Sequence, residues 1–361
     1  MSPALPSPAS DPLVTVLGEA LVDLVPGDGP GEYRARPGGS PFNVAIGLAR
    51  LGHRTALMAR LADNAFGRLL REHAAAERID LSAAPRATEP TTLAIVSLDA
   101  EARARYDFYM QGTADWQWTE AETALVPRDT AVLHLGSLAS WTAPGDERVH
   151  AMAAALHRRG DVVTSYDPNV RPLLLGRPEY ARGLVERCVS AAHIVKASRE
   201  DLDWLYPGDG IERVSARWLG LGALLVVVTD GPRGAHVFRP GAEPVHRAGR
   251  PVRVVDTIGA GDAFTAGLLG GLVRRGLQHP ESLRGCGPAR LAAVVDEAIL
   301  VSALTCERIG ADPPYAASRV DVDVDATLDT GADADCVQPL TPGDLRFEKP
   351  AGVPAASSQP F

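Results

Sequence analysis

Asp256-Thr257-Ile258-Gly259-Ala260-Gly261-Asp262 is the stretch on which the fold and chemistry turn. Two glycines flank an alanine, and a carboxylate follows. The run from Ala263 reads as a helix, with Phe264, Leu268 and Leu272 four apart on one face and Gly276 at its end. Small residues let a ligand approach the backbone, and a helix start presents amides with no partner inside the helix. Those amides and the helix dipole favour negative charge. A carboxylate there is odd as an anion ligand and sensible as a proton acceptor. An anion cradle beside a base is what phosphoryl transfer to a hydroxyl requires. Taken alone, Gly-x-Gly-Asp also describes a tight strand-to-helix turn with a capping aspartate. A Walker loop is excluded, since no Gly-Lys-Ser/Thr follows. The late position and missing third glycine exclude a dinucleotide fingerprint.

A second glycine motif lies far upstream, at Gly38-Gly39-Ser40-Pro41-Phe42-Asn43. Ser40-Pro41 predicts an N-cap and a proline at the first helical position. Val44, Leu48 and Leu51 recur at helical spacing, and Gly52 supplies a stop. The glycines alone would merely make a turn. Asn43, however, falls in the first helical turn, where asparagine is a poor interior residue. Its amide donates and accepts, which suits a polyol. Gly18-Glu19-Ala20-Leu21-Val22-Asp23 puts Asp23 just beyond a first strand at Leu13–Leu17. Ligands of open α/β sheets bind outside such strand ends.

Further apolar, β-branched runs occur at Leu93–Leu98, Ala131–Leu135, Val162–Tyr166, His193–Lys196 and Leu224–Thr229. The last four alternate with helical stretches such as Glu147–His157 and Glu179–Ser190, which predicts a parallel sheet covered on both faces. Asp63 reads as the cap of a helix running to about Ile79. Glu32–Arg36 and the two strands within Thr91–Tyr109, joined at Asp99-Ala100-Glu101, fall outside this alternation. They predict a small separate sheet, a lid over a cleft. Residues 1–12 read as a flexible arm and 318–361, with its repeated aspartates, as an acidic tail too poor in apolar residues to order. A Ca²⁺ site in that tail is the sharper alternative, but it lacks EF-hand spacing.

The chain has 361 residues, 45% hydrophobic and 22% charged, ordinary for a globular protein with a sizeable core. A net charge of −9 argues against a general nucleic-acid surface. The four cysteines are scattered without a Cys-x-x-Cys pair, and the histidines lack a His-Glu-x-x-His pattern, so zinc and redox motifs are absent. No apolar run approaches the ~20 residues of a membrane span, and no basic, secretory n-region opens the chain. The reading is a cytoplasmic protein without membrane or nucleic-acid partners.

Together these pieces resemble the ribokinase-like (PfkB) carbohydrate kinases, most closely the fructokinase branch. Gly38–Asn43 with Val44-Ala45 is similar to the family's first signature, and Asp256–Asp262 with Ala263-Phe264 to its second. Asp167-Pro168-Asn169-Val170-Arg171 resembles an Asp-x-Asn-x-Arg stretch. Thr229–Gly234 resembles the nucleotide-side glycine turn. Tyr106–Tyr109 through Gly112–Asp115 looks like fructokinase lid sequence, and Thr305–Arg308 with Gly310–Pro314 like the branch's closing block. The likeness spans about Val14 to Pro314.

The resemblance implies a three-layer α/β/α sandwich over 13–317 with a mostly parallel central sheet. A β lid would cover about 27–37 and 88–115. It implies ATP-dependent phosphorylation of a free sugar, fructose first. Asp262 would be the general base, with Gly259, Ala260 and Gly261 completing the anion hole. Asp23, Gly38, Gly39, Asn43, Phe108, Asn169 and Arg171 would bind the sugar. Lys196, Ser198, Thr229, Gly231, Gly234, Gly261 and Cys306 would serve ATP. Mg²⁺ would ride largely on ATP and water, with Asp201 nearby. The chain departs from the family here: Lys196-Ala197-Ser198-Arg199-Glu200-Asp201 stands where an Asn-x-x-Glu motif is usual, and Ser198 with Asp201 reads equally as a helix cap. The family's use of a monovalent cation such as K⁺ would place backbone carbonyls near Asp256, Ile258 and Gly310 around it. A homodimer through the lid is expected. Alternative acceptors are 2-keto-3-deoxygluconate, tagatose phosphate or a nucleoside, and a non-catalytic sensor is a different class.

Overall fold

In the computed structural model, described for residues 11–29, 31–98 and 104–319, eight strands form the main sheet. Their spatial order is Val245–Arg247, Ala235–Phe238, Leu225–Thr229, Ile194–Ser198, Val163–Asp167, Thr130–Gly136, Leu13–Leu17 and Thr55–Met58. The six from Leu225–Thr229 onward run parallel, and the first two close one edge as an antiparallel hairpin. Buried parallel strands need helices on both faces. Strand alternation divides their side chains between two cores: Leu225 and Val227 enter one, Val226 and Val228 the other. The first core is completed by helices Ser40–Arg50, Ala260–Arg274 and Pro288–Cys306, the second by helices that include Asp146–Arg159, Pro178–Val189 and Ile211–Gly220. This is the ribokinase-like sandwich.

A second sheet of four strands, ordered Tyr33–Gly38, Leu21–Pro26, Leu93–Leu98 and Ala104–Tyr109, stands apart. It contains one strand more than the lid segments predict. Asp23, just beyond the first strand as the spacing predicts, lies inside Leu21–Pro26, paired with Arg36 and Ala94. Val22 is buried and Leu21 pairs with Gly38, so the Gly18–Ala20 turn hands the chain directly from one sheet to the other. The joint at Asp99–Glu101 lies outside the described residues, as do nearly all of the arm and tail.

Two caps differ from expectation. Asn64, not Asp63, caps Ala65–Ala76, its side chain accepting from the Gly67 amide, and that helix stops before Ile79. Gly39, not Ser40, stands before Ser40–Arg50, with φ 104°, a conformation that only glycine adopts readily. Ser40 is thereby freed for another partner.

Candidate active site

The helix Ala260–Arg274 starts from Gly259, whose φ of 75° is left-handed. A Cβ on Gly259 would meet the Cβ of Ala311 at 2.5 Å, so the turn demands glycine twice over. Asp262 is the third residue of the helix, not its cap. Its Oδ1 accepts from Ser40 Oγ at 2.6 Å and its Oδ2 from Asn43 Nδ2 at 2.9 Å. Ser40 and Asn43 are three apart and share a helix face, which is why both reach one carboxylate. Burial pushes the Asp262 pKa up, against those two hydrogen bonds and the Lys196 charge; the Asp167 charge adds to the rise.

Two cavities meet at this helix start. One, about 690 Å³, is lined by Glu19, Asp23, Gly39, Asn43, Phe108 and Asp262, and also by Asn169, Arg171, Ile258 and Gly259. The other, about 550 Å³, is lined by Thr229, Gly231, Gly234, Ala260 and Cys306, with Pro251, Val252 and Phe264 as apolar wall. Thr257 and Gly261 belong to both. Thus the two ligand spaces adjoin across the amides that a migrating anion would use.

In the first cavity, burial raises the Asp23 carboxyl to about 6, with Arg171 opposing and Asp262 adding to the rise. Arg171 Nη1 donates to Asn169 Oδ1 at 2.8 Å, and Asn169 Nδ2 to Ser137 Oγ at 3.1 Å. Ser137 and Asn169 both have positive φ (54° and 40°) just past the ends of adjacent parallel strands. Such strain in non-glycine residues persists where the surroundings dictate it, as at binding sites. Gly38 does not line the cavity: a Cβ there would lie 2.2 Å from Asp23 Oδ2, so it makes room for that carboxylate.

Three further assignments change. Lys196 lines neither cavity. Its buried Nζ donates to Asp167 Oδ2 at 2.8 Å, beneath Gly261, where an added Cβ would sit 3.2 Å from it. Burial works to lower the Lys196 pKa, but the charges of Asp167, Asp201 and Asp262 carry it upward. Ser198 and Asp201 form a capping box: Ser198 Oγ accepts from the Asp201 amide (3.0 Å) and Asp201 Oδ2 from the Ser198 amide (2.9 Å). Asp201 Oδ1 takes the Val170 amide at 2.9 Å, so backbone donors occupy both oxygens and the cap reading stands over the metal one. Among the described residues no three His, Cys, Asp or Glu side chains converge as a metal-ligand set. Asp256, Ile258 and Gly310 are brought together: Asp256 Oδ1 accepts from the Ile258 amide (3.0 Å) and Oδ2 from the Gly310 amide (2.8 Å).

Sequence reasoning missed several members. Ser40 was read as a cap, although its spacing from Asn43 carried the signal. Glu19 lay within the quoted Gly18–Asp23 stretch; it is buried in the cleft wall and accepts from the Ala139 amide at 3.2 Å. Ser137 and Asp167's pairing with Lys196 depend on strand neighbours and left no local trace.

Comparison with known proteins shows the family. A family model described as "pfkB family carbohydrate kinase" matches residues 11–317. A fructokinase of Klebsiella pneumoniae is 36% identical over 286 residues, 76% of this chain and 88% of the relative. A fructokinase double mutant of Vibrio cholerae O395, solved with fructose, ADP and potassium ion, superposes with a TM-score of 0.73 at 30% identity, covering 84% of this chain and 94% of that one. A fructokinase of Xylella fastidiosa with bound ATP gives 0.76 at 26% identity, over 83% and 94%.

Proposed function

This chain belongs to the pfkB family of carbohydrate kinases, and from that premise we propose that it is a fructokinase, moving the γ-phosphoryl group of ATP to a hydroxyl of fructose. The observation that carries the reading is Asp262, held by Ser40 and Asn43 at the junction of the two cavities. Fructose occupies the cavity of Asp23, Asn43, Asn169 and Arg171, whose donors and acceptors match a polyol. ATP occupies the cavity bounded by Thr229–Gly234 and Cys306. Asp262 takes the hydroxyl proton as the oxygen attacks, which is general-base catalysis by position as much as by pKa. The amides of Ala260, Gly261 and Asp262 stabilise the charge on the migrating group. Lys196, buried below Gly261 with Asp167, adds positive potential from beneath. Mg²⁺ entering with ATP would supply charge neutralisation at the phosphates. Backbone carbonyls near Asp256, Ile258 and Gly310 would hold a monovalent cation such as K⁺, the Asp256 carboxylate itself fixing the turn through the Ile258 and Gly310 amides.

Among the described residues, the acceptor cavity is lined by carboxylates at Glu19, Asp23, Asp107 and Asp262 against one guanidinium, that of Arg171. That balance favours a neutral sugar over tagatose phosphate. No described helix is long and apolar enough to cross a membrane, and we place the enzyme in the cytoplasm, where ATP is available. The lid strand Tyr33–Gly38 has an unpaired edge and an exposed Tyr33, which supports a lid-to-lid homodimer. An ADP-coupled assay over fructose, tagatose phosphate, 2-keto-3-deoxygluconate and nucleosides tests the acceptor. Fructose is expected to give the highest kcat/KM, and a phosphorylated or nucleoside acceptor surpassing it removes the assignment. Sedimentation velocity tests the dimer.

A further inference from the structure

Arg50 closes the Ser40–Arg50 helix at the end away from Asp262, and the chemistry above does not use it. Its side chain is 10% exposed, yet it is tied to two separate segments. Nε donates to Glu77 Oε1 at 2.8 Å, beside the end of Ala65–Ala76. Nη1 donates to Asp312 and, at 2.9 Å, to the Pro313 carbonyl. The guanidinium also lies 4.7 Å from the ring centroid of Tyr315. A buried guanidinium whose bonds are cut leaves unpaired partners, so such a junction holds its geometry tightly.

The segment that Arg50 grips runs straight to the phosphate cradle. The Gly310 amide donates to Asp256, and Ala311 packs against Gly259 so closely that no Cβ fits between them. The helix Ser40–Arg50 therefore reaches the cradle twice. Its first turn holds Asp262 through Ser40 and Asn43. Its last turn holds, through Arg50 and Asp312, the strap that backs Gly259. Between these ends, Gly47 lies against Ala266 of the cradle helix, where an added Cβ would stand 2.7 Å from the Ala266 Cβ. The base and the amides it works with are thus referenced to one rigid rod.

We propose that Arg50 is a positioning residue for phosphoryl transfer, acting through Asp312 on the Gly310–Ala311 strap and thence on the Asp256–Gly259 turn. It lines neither cavity, so its loss leaves the substrate walls in place and loosens only the alignment of the amides with Asp262. Alignment errors of about 1 Å caused far from the chemistry cost up to ~10²-fold in rate.

The inference rests on the kinase reading, and its test uses whichever acceptor the wild type turns over fastest, so an error over fructose does not decide it. Arg50→Ala, Asp312→Asn and the double variant are compared with wild type for kcat and both KM values, with folded fraction from circular dichroism. Each single change is expected to lower kcat about tenfold while both KM values stay within about threefold, the pattern of an interaction felt in the transition state. The double variant should lose clearly less than the product of the two single losses, because both changes cut the Arg50–Asp312 link, although Asp312 also meets Arg308. Tyr315→Phe, which removes only a hydroxyl reaching Glu77, should keep wild-type kcat. If Arg50→Ala does not fold at the assay temperature, Asp312→Asn and Arg50→Lys decide, since a lysine cannot bridge the three acceptors. Wild-type kcat per folded molecule in the folded variants, or losses that multiply in the double variant, overturns the proposal.

Discussion

The two cavities that meet at Gly261 are built from opposite materials. The acceptor cavity is walled by side chains with charge and hydrogen-bonding capacity: Glu19, Asp23, Asn43, Asn169, Arg171 and Asp262. The donor cavity is walled mainly by glycine turns, prolines and apolar groups, with Arg250 and Thr257 among them, and two of its hydroxyls are already engaged. Ser302 Oγ donates to the Ala260 carbonyl at 2.9 Å, and Thr229 Oγ1 faces the Ala197 carbonyl at 3.4 Å. A site that hydrogen-bonds its ligand through buried side chains discriminates strongly, and an apolar one weakly. Choice of substrate should therefore reside on the acceptor side, while the donor side holds a nucleotide mainly by shape and backbone, with Arg250 as its charged side chain.

The sharpest blow to this contrast falls at their junction. Asp262→Asn keeps size and can hold both neighbours if the Ser40 hydroxyl turns to accept, but it loses the proton acceptor, and turnover should fall at least ~10²-fold with fructose KM near wild type. Steady-state kinetics check it, and wild-type turnover would take Asp262 out of the mechanism. Next comes Asn43→Ala, which removes one partner of the polyol and of Asp262. Fructose KM should rise about tenfold, the value of one to two hydrogen bonds, with ATP KM little changed. A defect confined to ATP would reverse the assignment of the two cavities.

Asp23 makes a pH prediction. Its folded-state pKa of about 6 stands above the ordinary 3.8 because burial disfavours the carboxylate. Between those values the folded chain holds more protons than the unfolded one, so stability falls as pH rises through that window. The shift corresponds to roughly 3 kcal/mol as an upper figure. Asp23→Asn should therefore raise the melting temperature at pH 8 and leave it unchanged near pH 3.5, while weakening fructose binding at pH 8. Thermal denaturation across pH measures this, and a variant less stable at pH 8 would show that Asp23 contributes net stability. The smallest effect is expected on the donor side. Thr229→Val should alter ATP KM by less than about threefold, because its hydroxyl already faces a carbonyl. A tenfold change would mean that side chains read the nucleotide after all.

The same contrast explains what could be read in advance. Both glycine motifs announced themselves because close backbone approach and left-handed φ leave only one residue type usable at Gly39 and Gly259. Asp262, Asn43, Asp23 and Arg171 stood out as polar groups at turns beside strand or helix ends. Lys196 and Asp201 were misplaced for a matching reason: each is a charged residue near a strand end, the same local pattern, yet tertiary neighbours turn Lys196 inward to Asp167 and engage Asp201 with two amides. Nothing local distinguishes a buried ion pair from a ligand.

By itself the chain determined the alternation of apolar strands and helices, and hence a parallel sheet with covered faces, together with the two turns that must be glycine. Those are properties of short segments, set by φ/ψ sterics and hydrophobic period. Only the tertiary structure decided that Ser40 and Asn43 grip a carboxylate more than 200 residues away, that Ser137 joins Asn169, and that Arg50 reaches Asp312. Such pairings depend on which strands become neighbours and how two helices cross. That order is fixed by the packing of the whole sheet, and no local stretch contains it.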